Sequence, residues 1–169
     1  IVDSYSTAMA LGFQVLAAAR AVESGRTFAE VADVARRASA HTGIVIAVDT
    51  LEFLHRGGRI GGAARLLGTA LNLKPVLELA DGRIEPIERV RTKAKARARL
   101  LELIAERVKG KPNLRLATIH AAAEAEAVEL MEQAKALMHP VEAIAALASP
   151  VVGNHAGPGT VGLAYSTDL

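Results

Sequence analysis

The chain has 169 residues, a net charge of +2 and 51% hydrophobic residues, with no Cys and no Trp. This much apolar material can form a real core, which excludes a disordered chain, and the lack of Cys excludes disulfides and thiolate zinc sites. Aromatic residues make up only 3%, so few side chains can stack on single-stranded nucleic acid. No apolar run reaches about 18 residues and no signal-peptide pattern begins the chain. We therefore expect a soluble cytoplasmic protein.

The first forty residues predict two helices. An Ala-rich stretch over residues 7–24 has helical character and is followed by Gly25, which takes the usual C-cap role. Thr27 and Glu30 form a capping box, which opens a second helix that runs to about residue 40.

A strand, two helical pieces and a hairpin come next. Residues 44–48 are all apolar and mostly β-branched, as expected of a strand that is buried on both faces. A short helix and a second helical piece at 64–72 follow it. Two strands then flank Asp81-Gly82, the strongest short hairpin signal, and Pro86 limits the later strand to a sheet edge or an irregular region.

Helices and strands continue to alternate in the last half of the chain. Apolar spacing predicts helices over 92–109 and 123–138, and strands over 114–121, 141–147 and 161–166. One hairpin among alternating helices and strands indicates an α/β fold with a mixed sheet covered by helices.

The Gly-rich sequence GNHAGPGTVG, residues 153–162, is the first candidate site. Four glycines and a proline around His155 predict a tight loop in which backbone closely approaches another group. A plain strand-to-strand turn is equally compatible with this pattern. The segment is not a P-loop, and no Cys, His or carboxylate stands at metal-ligand spacing from His155, so we expect no metal site.

Arg59 is the second candidate, in the sequence HRGGRIGG. The paired glycines before it end a helix, and its guanidinium fork suits a carboxylate or a phosphate. The competing interpretation is a solvated Arg after a helix C-cap.

A basic run, RVRTKAKARAR at 89–99, holds six basic residues and no acid. Such a run is typical of a surface for nucleic acid or anionic membrane, but also of the solvated face of a helix. The small net charge and the interspersed Ala favour the solvated face. Arg91 is the exception, because it lies at a strand-to-helix junction where it can face the mouth of a pocket.

No nucleophile, base and acid can be assembled into a catalytic group. The five His residues are scattered, and His120 ends an apolar strand, which is typical of a core or rim histidine. A small phosphotransferase or hydrolase that uses His155 as acid or base is one alternative function. A nucleic-acid or membrane-surface module built on the basic run is another.

The order of the motifs resembles the DegV family. An initial VDS, then DTLEFLHRGGRI, LKP, DGRI, Arg-Thr and finally GNHAGPGTVGLAY follow one another along essentially the whole chain. The resemblance implies a non-catalytic fatty-acid-binding protein without a cofactor. It would present the carboxylate of a long-chain fatty acid to a dihydroxyacetone-kinase-like fatty acid kinase, for phospholipid metabolism.

The resemblance also implies roles for individual residues. Arg59 and His155 would lie beside the fatty-acid carboxylate, and Arg91 would lie near the mouth, for contact with the kinase or, transiently, the membrane surface. No nucleic acid partner is implied. Leu51, Leu54, Leu67 and Leu71 are candidates for the pocket lining, or for ordinary core.

The resemblance further implies a fold of two α/β domains. The family's Thr-Ser-Gln-Pro motif and Ser-Gly loop, whose hydroxyls bind the carboxylate, do not occur in this sequence. We therefore expect residues 1–41 to be the terminal strand end and helices of an N-terminal domain, and 42–169 to be the C-terminal lipid-binding domain. A start at Ile1 without Met fits a part of a longer chain.

Overall fold

The structure is a computed structural model that describes residues 1–68 and 73–167. The helices are α1 Ala8–Glu23, α2 Phe28–Ala38, α3 Glu52–Arg56, α4 Lys93–Val108, α5 Glu124–Met138 and α6 Pro150–Ala156. The strands are β1 Thr42–Ala47, β2 Lys74–Ala80, β3 Arg83–Val90, β4 Arg115–Ala121, β5 Glu142–Leu147 and β6 Thr160–Ser166. Two short 3₁₀ turns cover Ser39–His41 and Gly61–Leu66.

The described strands form a six-stranded sheet in the order β3-β2-β1-β6-β4-β5. β4 and β5 are parallel, and the other neighbouring strands are antiparallel. The last strand, β6, therefore lies at the centre of the sheet, between β1 and β4. This arrangement confirms the predicted α/β fold with a mixed sheet.

The predicted hairpin joins β2 to the edge strand β3. Asp81 and Gly82 have φ angles of 49° and 75°, the left-handed pair that a tight two-residue turn requires. The strand register shifts so that Leu77 lies opposite Pro86 while the preceding residue lies opposite Glu88, which leaves one extra residue in β3. The prediction that Pro86 belongs to an irregular edge strand is confirmed.

One face of the sheet is covered by α4 and α5. Their apolar side chains, including Leu100, Ile104 and Leu130, pack with Leu116 and Leu163 of the central strands in one buried cluster. Helical spacing in α4 and α5 supplies the apolar stripe that covers this face.

The other face is covered in part by α1. Phe13 is 1% exposed and packs with Ile44, Ala117 and Ala164 of three different strands. α2 lies against α1, and the predicted capping box of Thr27 is present at its start. The proposed domain boundary after residue 41 stays a prediction.

Two local predictions are corrected. The predicted tight loop at 153–162 is wrong in its first half, because α6 extends to Ala156. Ser149 starts this helix by accepting a hydrogen bond from the Val152 N–H, and Pro150 occupies its first turn. The predicted helical piece at 64–72 is instead the 3₁₀ turn up to Leu66, and positions 69–72 lie outside the described residues.

In the part of the chain that the structure describes, no helix combines the length and hydropathy needed to cross a bilayer. The same residues contain no group of three or more His, Asp or Glu side chains placed to hold a metal ion.

Candidate functional site

A cavity of about 830 Å³ lies on the α1 face of the sheet. This volume is in the range of small-molecule binding pockets, which is about 300–1,000 Å³. Side chains of β1, β2, β3 and β4 form an apolar floor, and the start of α1, the end of α3 and the helix α6 form walls. The floor side chains are Ile44, Ile46, Leu79, Ile84 and Ile119.

Gly162 completes the floor from the central strand β6. A methyl group at this position would lie 2.9 Å from Cγ2 of Ile46, closer than carbon atoms pack. Glycine is unfavourable in strand interiors and often marks the close approach of another group. The sequence placed Gly162 in a motif, but its role in shaping the cavity was not predicted.

Arg59 lies at one end of the cavity, directly after α3. Its backbone N–H donates to the carbonyl of Leu54 at 2.9 Å, and Nη1 donates to the carbonyl of Gly57 at 3.1 Å. The guanidinium is therefore held over the end of α3 while other N–H groups remain free to bind an anion. The side chain is exposed and contributes to the cavity wall.

His155 reaches the same cavity from α6. A methyl group at Gly57 would overlap Nδ1 of His155, so the imidazole occupies the space that the glycine leaves. The contact is reciprocal, because Gly157, with φ of 82°, leaves the space that the ring of Phe53 occupies. α3 and α6 thus interlock, and this brings Arg59 and His155 to one cavity.

The ring of His155 is oriented by this packing. Its Nδ1 atom is buried and has no hydrogen-bond partner among the described residues. The part of the imidazole that faces the cavity is therefore the edge away from Gly57. The ring nitrogen that can contact a polar ligand group is therefore Nε2, since Nδ1 is buried against Gly57.

His120 was not predicted as a cavity residue. Its side chain lines the cavity, and its Nδ1 accepts a hydrogen bond from the Ala123 N–H at 3.4 Å. One ring nitrogen of His120 thus has a partner within the protein, as expected of a rim histidine. Its place at the end of an apolar strand was the signal available in the sequence.

A second polar part of the cavity lining lies beside the β2–β3 turn. Ser6, Thr7 and Arg83 form it, and the carbonyl of Tyr5 accepts a hydrogen bond from the Gly82 N–H at 3.1 Å. Thr7 precedes α1 but its hydroxyl caps no backbone N–H of that helix. These hydroxyls lie at the start of the first predicted helix and belong to no recognisable motif, so the sequence alone does not indicate them.

The four predicted lining leucines have different places. Leu54 is 3% exposed, belongs to a buried core cluster and also lines the cavity, so both alternatives hold for it. Leu51 is buried core beside the cavity, and Leu67 is exposed at 40%. Leu71 lies outside the described residues.

Arg91 lies at the junction of β3 and α4, as predicted, but it does not line the cavity. It is exposed and follows Val90, which pairs with Lys74. Lys74 in turn contacts Asp49, between β1 and α3. Arg91 is therefore at the end of the sheet that carries Arg59.

Two other basic residues of the run 89–99, Arg97 and Arg99, form ion pairs from α4. Arg97 contacts Glu129 at 3.0 Å, and Arg99 pairs with both Glu88 and Glu102. Neighbouring carboxylates thus balance the charge of both arginines, and the absence of a nucleic-acid partner stays a prediction.

Asp49, just after β1, forms ion pairs with lysines at the starts of β2 and α4. Its carboxylate lies 2.7 Å from Nζ of Lys93 and 3.1 Å from Nζ of Lys74. Burial acts to raise the pKa of Asp49, but the hydrogen bonds and charges of the two lysines outweigh it and lower the pKa. The link from β1 to α3 is thereby fixed to the starts of β2 and α4.

Comparison with known proteins gives one consistent result. The DegV family model, described as "Uncharacterised protein, DegV family", matches residues 1–168. A DegV domain-containing protein of Streptomyces coelicolor is 44% identical over 99% of this chain and 59% of its own length. The chain thus spans about three fifths of the length of the relatives it matches.

Solved structures agree with the family match. A DegV family protein from Thermus thermophilus, described as binding fatty acid, superposes with a TM-score of 0.93 at 35% identity, over 98% of this chain and 60% of its own. DegV of Bacillus subtilis, described as a fatty acid binding protein, gives a TM-score of 0.85 at 31% identity, over 98% and 59%. The chain belongs to the DegV family.

Proposed function

We propose that this chain is the tail-binding part of a non-catalytic fatty-acid carrier. The observation that carries the proposal is the cavity of about 830 Å³, whose floor is aliphatic and whose one end holds Arg59 and His155. Fatty-acid binding by the related proteins of Thermus thermophilus and Bacillus subtilis supports it.

Hydrophobic burial would supply most of the affinity. About 12 buried methylenes at roughly 0.8 kcal/mol each give a gross term near 10 kcal/mol. A hydrogen bond to the charged carboxylate adds about 1.5–3 kcal/mol. The tail therefore determines how tightly the ligand is held, and the polar groups determine which end of the ligand lies at Arg59 and His155.

The ligand cavity, as distinct from the carboxylate site at Arg59 and His155, would be shared between two parts of the protein. We propose that residues 1–41 belong to an N-terminal domain and that 42–169 form the lipid-binding domain. α1 would then bring Ser6 and Thr7 to a cavity whose floor belongs to the second domain.

The carrier would deliver its ligand to an enzyme. We propose that the carboxylate at the Arg59 end is presented to a dihydroxyacetone-kinase-like fatty acid kinase in the cytoplasm, which makes an acyl phosphate for phospholipid metabolism. Arg91, exposed at the same end of the sheet, would contact that kinase or, transiently, the membrane surface.

Native mass spectrometry of the protein at its full natural length tests ligand binding. We expect a long-chain fatty acid to co-purify, and oleate to bind and raise the melting temperature. Absence of both results would contradict the carrier function.

Substitutions of Arg59 and Arg83 test where the carboxylate lies. We expect Arg59→Ala to weaken oleate binding about tenfold or more, and Arg59→Lys to restore part of it. Oleyl alcohol, which lacks the carboxylate, should bind all three proteins alike. Arg83→Ala is the matched control, because Arg83 is a second arginine that lines the same cavity, beside the β2–β3 turn; an equal loss in that variant would contradict the assigned position of the carboxylate.

A further inference from the structure

His120 lies at the carboxyl end of β4 and lines the cavity together with Arg59 and His155. We infer that His120 is a further head-group-binding residue, whose Nε2–H donates a hydrogen bond to the carboxylate of the bound fatty acid. This inference rests on the proposed function and adds a third polar side chain to its head-group site.

The tautomer of His120 follows from its hydrogen bond. Nδ1 accepts the N–H of Ala123 at 3.4 Å, so it cannot carry the proton in the neutral ring. The proton of the neutral imidazole is then on Nε2, and this group is the one donor that the ring can offer. A donor, rather than an acceptor, is what a carboxylate requires.

The backbone fixes His120 relative to His155. The carbonyl of His120 accepts a hydrogen bond from the Ala148 N–H at 2.8 Å, and the carbonyl of Ala121 accepts one from the Gly159 N–H at 2.8 Å. These bonds lie just before and just after the segment that carries His155. The end of β4 therefore holds both ends of the His155 segment, and the two imidazoles belong to one framework.

The surroundings of the ring strengthen such a bond. The β5–α6 segment that carries His155 lines the cavity with further small and aliphatic residues, namely Ala148, Val152 and Ala156. In surroundings of low polarity a hydrogen bond to a charged group is stronger than in water. Arg59 would contribute a positive charge, and His120 would contribute a hydrogen-bond donor. His155 would contribute a further contact with the carboxylate.

Two substitutions separate the two nitrogens of the ring. His120→Asn places an oxygen near the position of Nδ1, which keeps the acceptor for Ala123 but removes the Nε2–H. His120→Gln places an amide nitrogen near the position of Nε2, which keeps the donor. We expect the Asn variant to bind oleate about tenfold more weakly and the Gln variant to keep most of the affinity.

The control ligand is oleyl alcohol, and all titrations use the protein at its full natural length. The inference predicts that its affinity is the same in the wild type and in both variants. Equal losses for oleate and oleyl alcohol in the Asn variant would show a packing role and overturn the inference. Unchanged oleate binding in the Asn variant would overturn it as well, while the proposed function would stand.

A measurement on the wild-type protein does not depend on how the variants fold. In the ¹⁵N-labelled protein we expect the imidazole of His120 to show protonation at Nε2 and a change of that signal with oleate but not with oleyl alcohol. Protonation at Nδ1, or the same response to both ligands, would contradict the inference. Failure of the wild type to bind oleate at all would instead remove the proposed function.

Discussion

Gly57 of α3 and His155 of α6 are in direct contact, and the imidazole fills the space where any other residue would place its Cβ. Gly57 has φ of −77°, an ordinary value, so its conformation does not require glycine. The requirement comes from packing alone. The residue type at position 57 is thus restricted by the side chain of His155, which belongs to the candidate head-group site.

Substitution of Gly57 by Ala should therefore displace His155. We expect Gly57→Ala to lower the free energy of unfolding by about 1–3 kcal/mol, because an added methyl group in a filled space forces its neighbours to move. Oleate binding should weaken while oleyl alcohol binding changes less. Chemical denaturation and binding titrations of the variant measure both effects.

Gly58→Ala is the matched control. Gly58 has φ of 68°, and a methyl group there would meet no atom within 4 Å. Ala at this position costs about 1 kcal/mol in backbone strain but leaves His155 in place. Equal loss of oleate affinity in the two variants would contradict the steric explanation.

The cavity floor gives a second prediction. Gly162→Ala places a methyl group 2.9 Å from Cγ2 of Ile46, and we expect a loss of about 1–3 kcal/mol in stability together with weaker oleate binding. The double variant with Ile46→Ala should recover part of the lost stability, since the contacting atom is removed. A double-mutant cycle measures this coupling, and purely additive effects would show that the two positions do not collide.

The lowered pKa of Asp49 predicts a dependence of stability on pH. A carboxylate whose folded pKa lies below its unfolded value stabilises the fold above pH 4 or so, and the contribution is lost as the pH falls through the folded pKa. We expect Asp49→Asn to be about 1 kcal/mol less stable than the wild type at neutral pH. The difference should shrink below about pH 4, as followed by urea unfolding across the pH range.

Asp33→Asn is the comparison for Asp49. Asp33 pairs with Arg36 at 2.6 Å, and both side chains are more than half exposed. Its replacement should change stability by less than about 0.5 kcal/mol at neutral pH. An Asp49 variant that matched this small effect would contradict the structural role of the Lys74–Asp49–Lys93 contacts.

Arg91 gives a prediction about the proposed kinase partner. The side chain is exposed and does not line the cavity, so Arg91→Glu should leave oleate affinity unchanged. We expect the same variant to slow acyl phosphate formation by the kinase, because a reversed charge at a contact surface reduces the rate of association. Lys111→Glu, a charge reversal in the α4–β4 connection, should not slow it. Equal rates for wild type and Arg91→Glu would remove Arg91 from the partner surface.

Local sequence signals predicted most of the fold. The Thr27 capping box, the Asp81-Gly82 turn and the apolar strand at 44–48 each follow from short-range physics, and each is present. α6 was missed because its glycines outweighed the Ser149-Pro150 start, which is itself a strong helix signal.

The cavity depends on long-range pairing that a pattern along the chain does not contain. Gly162 meets Ile46 because β6 lies beside β1 at the centre of the sheet, although 116 positions separate these residues in the numbering. The glycine-rich motifs indicated Arg59 and His155, and the family resemblance implied their role beside a carboxylate. Their common cavity follows from the α3–α6 contact. His120 carried no motif of its own, and its position in the cavity became visible only with the end of β4 in place.

The most direct test of the account is a crystal structure of the full-length protein with a fatty acid that carries bromine at its methyl end. Anomalous scattering would locate the bromine, and therefore the tail, independently of the carboxylate. We predict that the tail lies over Ile44, Ile46 and Ile119, with the carboxylate beside Arg59, His120 and His155. A carboxylate at Ser6 and Thr7, or bromine outside the cavity, would contradict it.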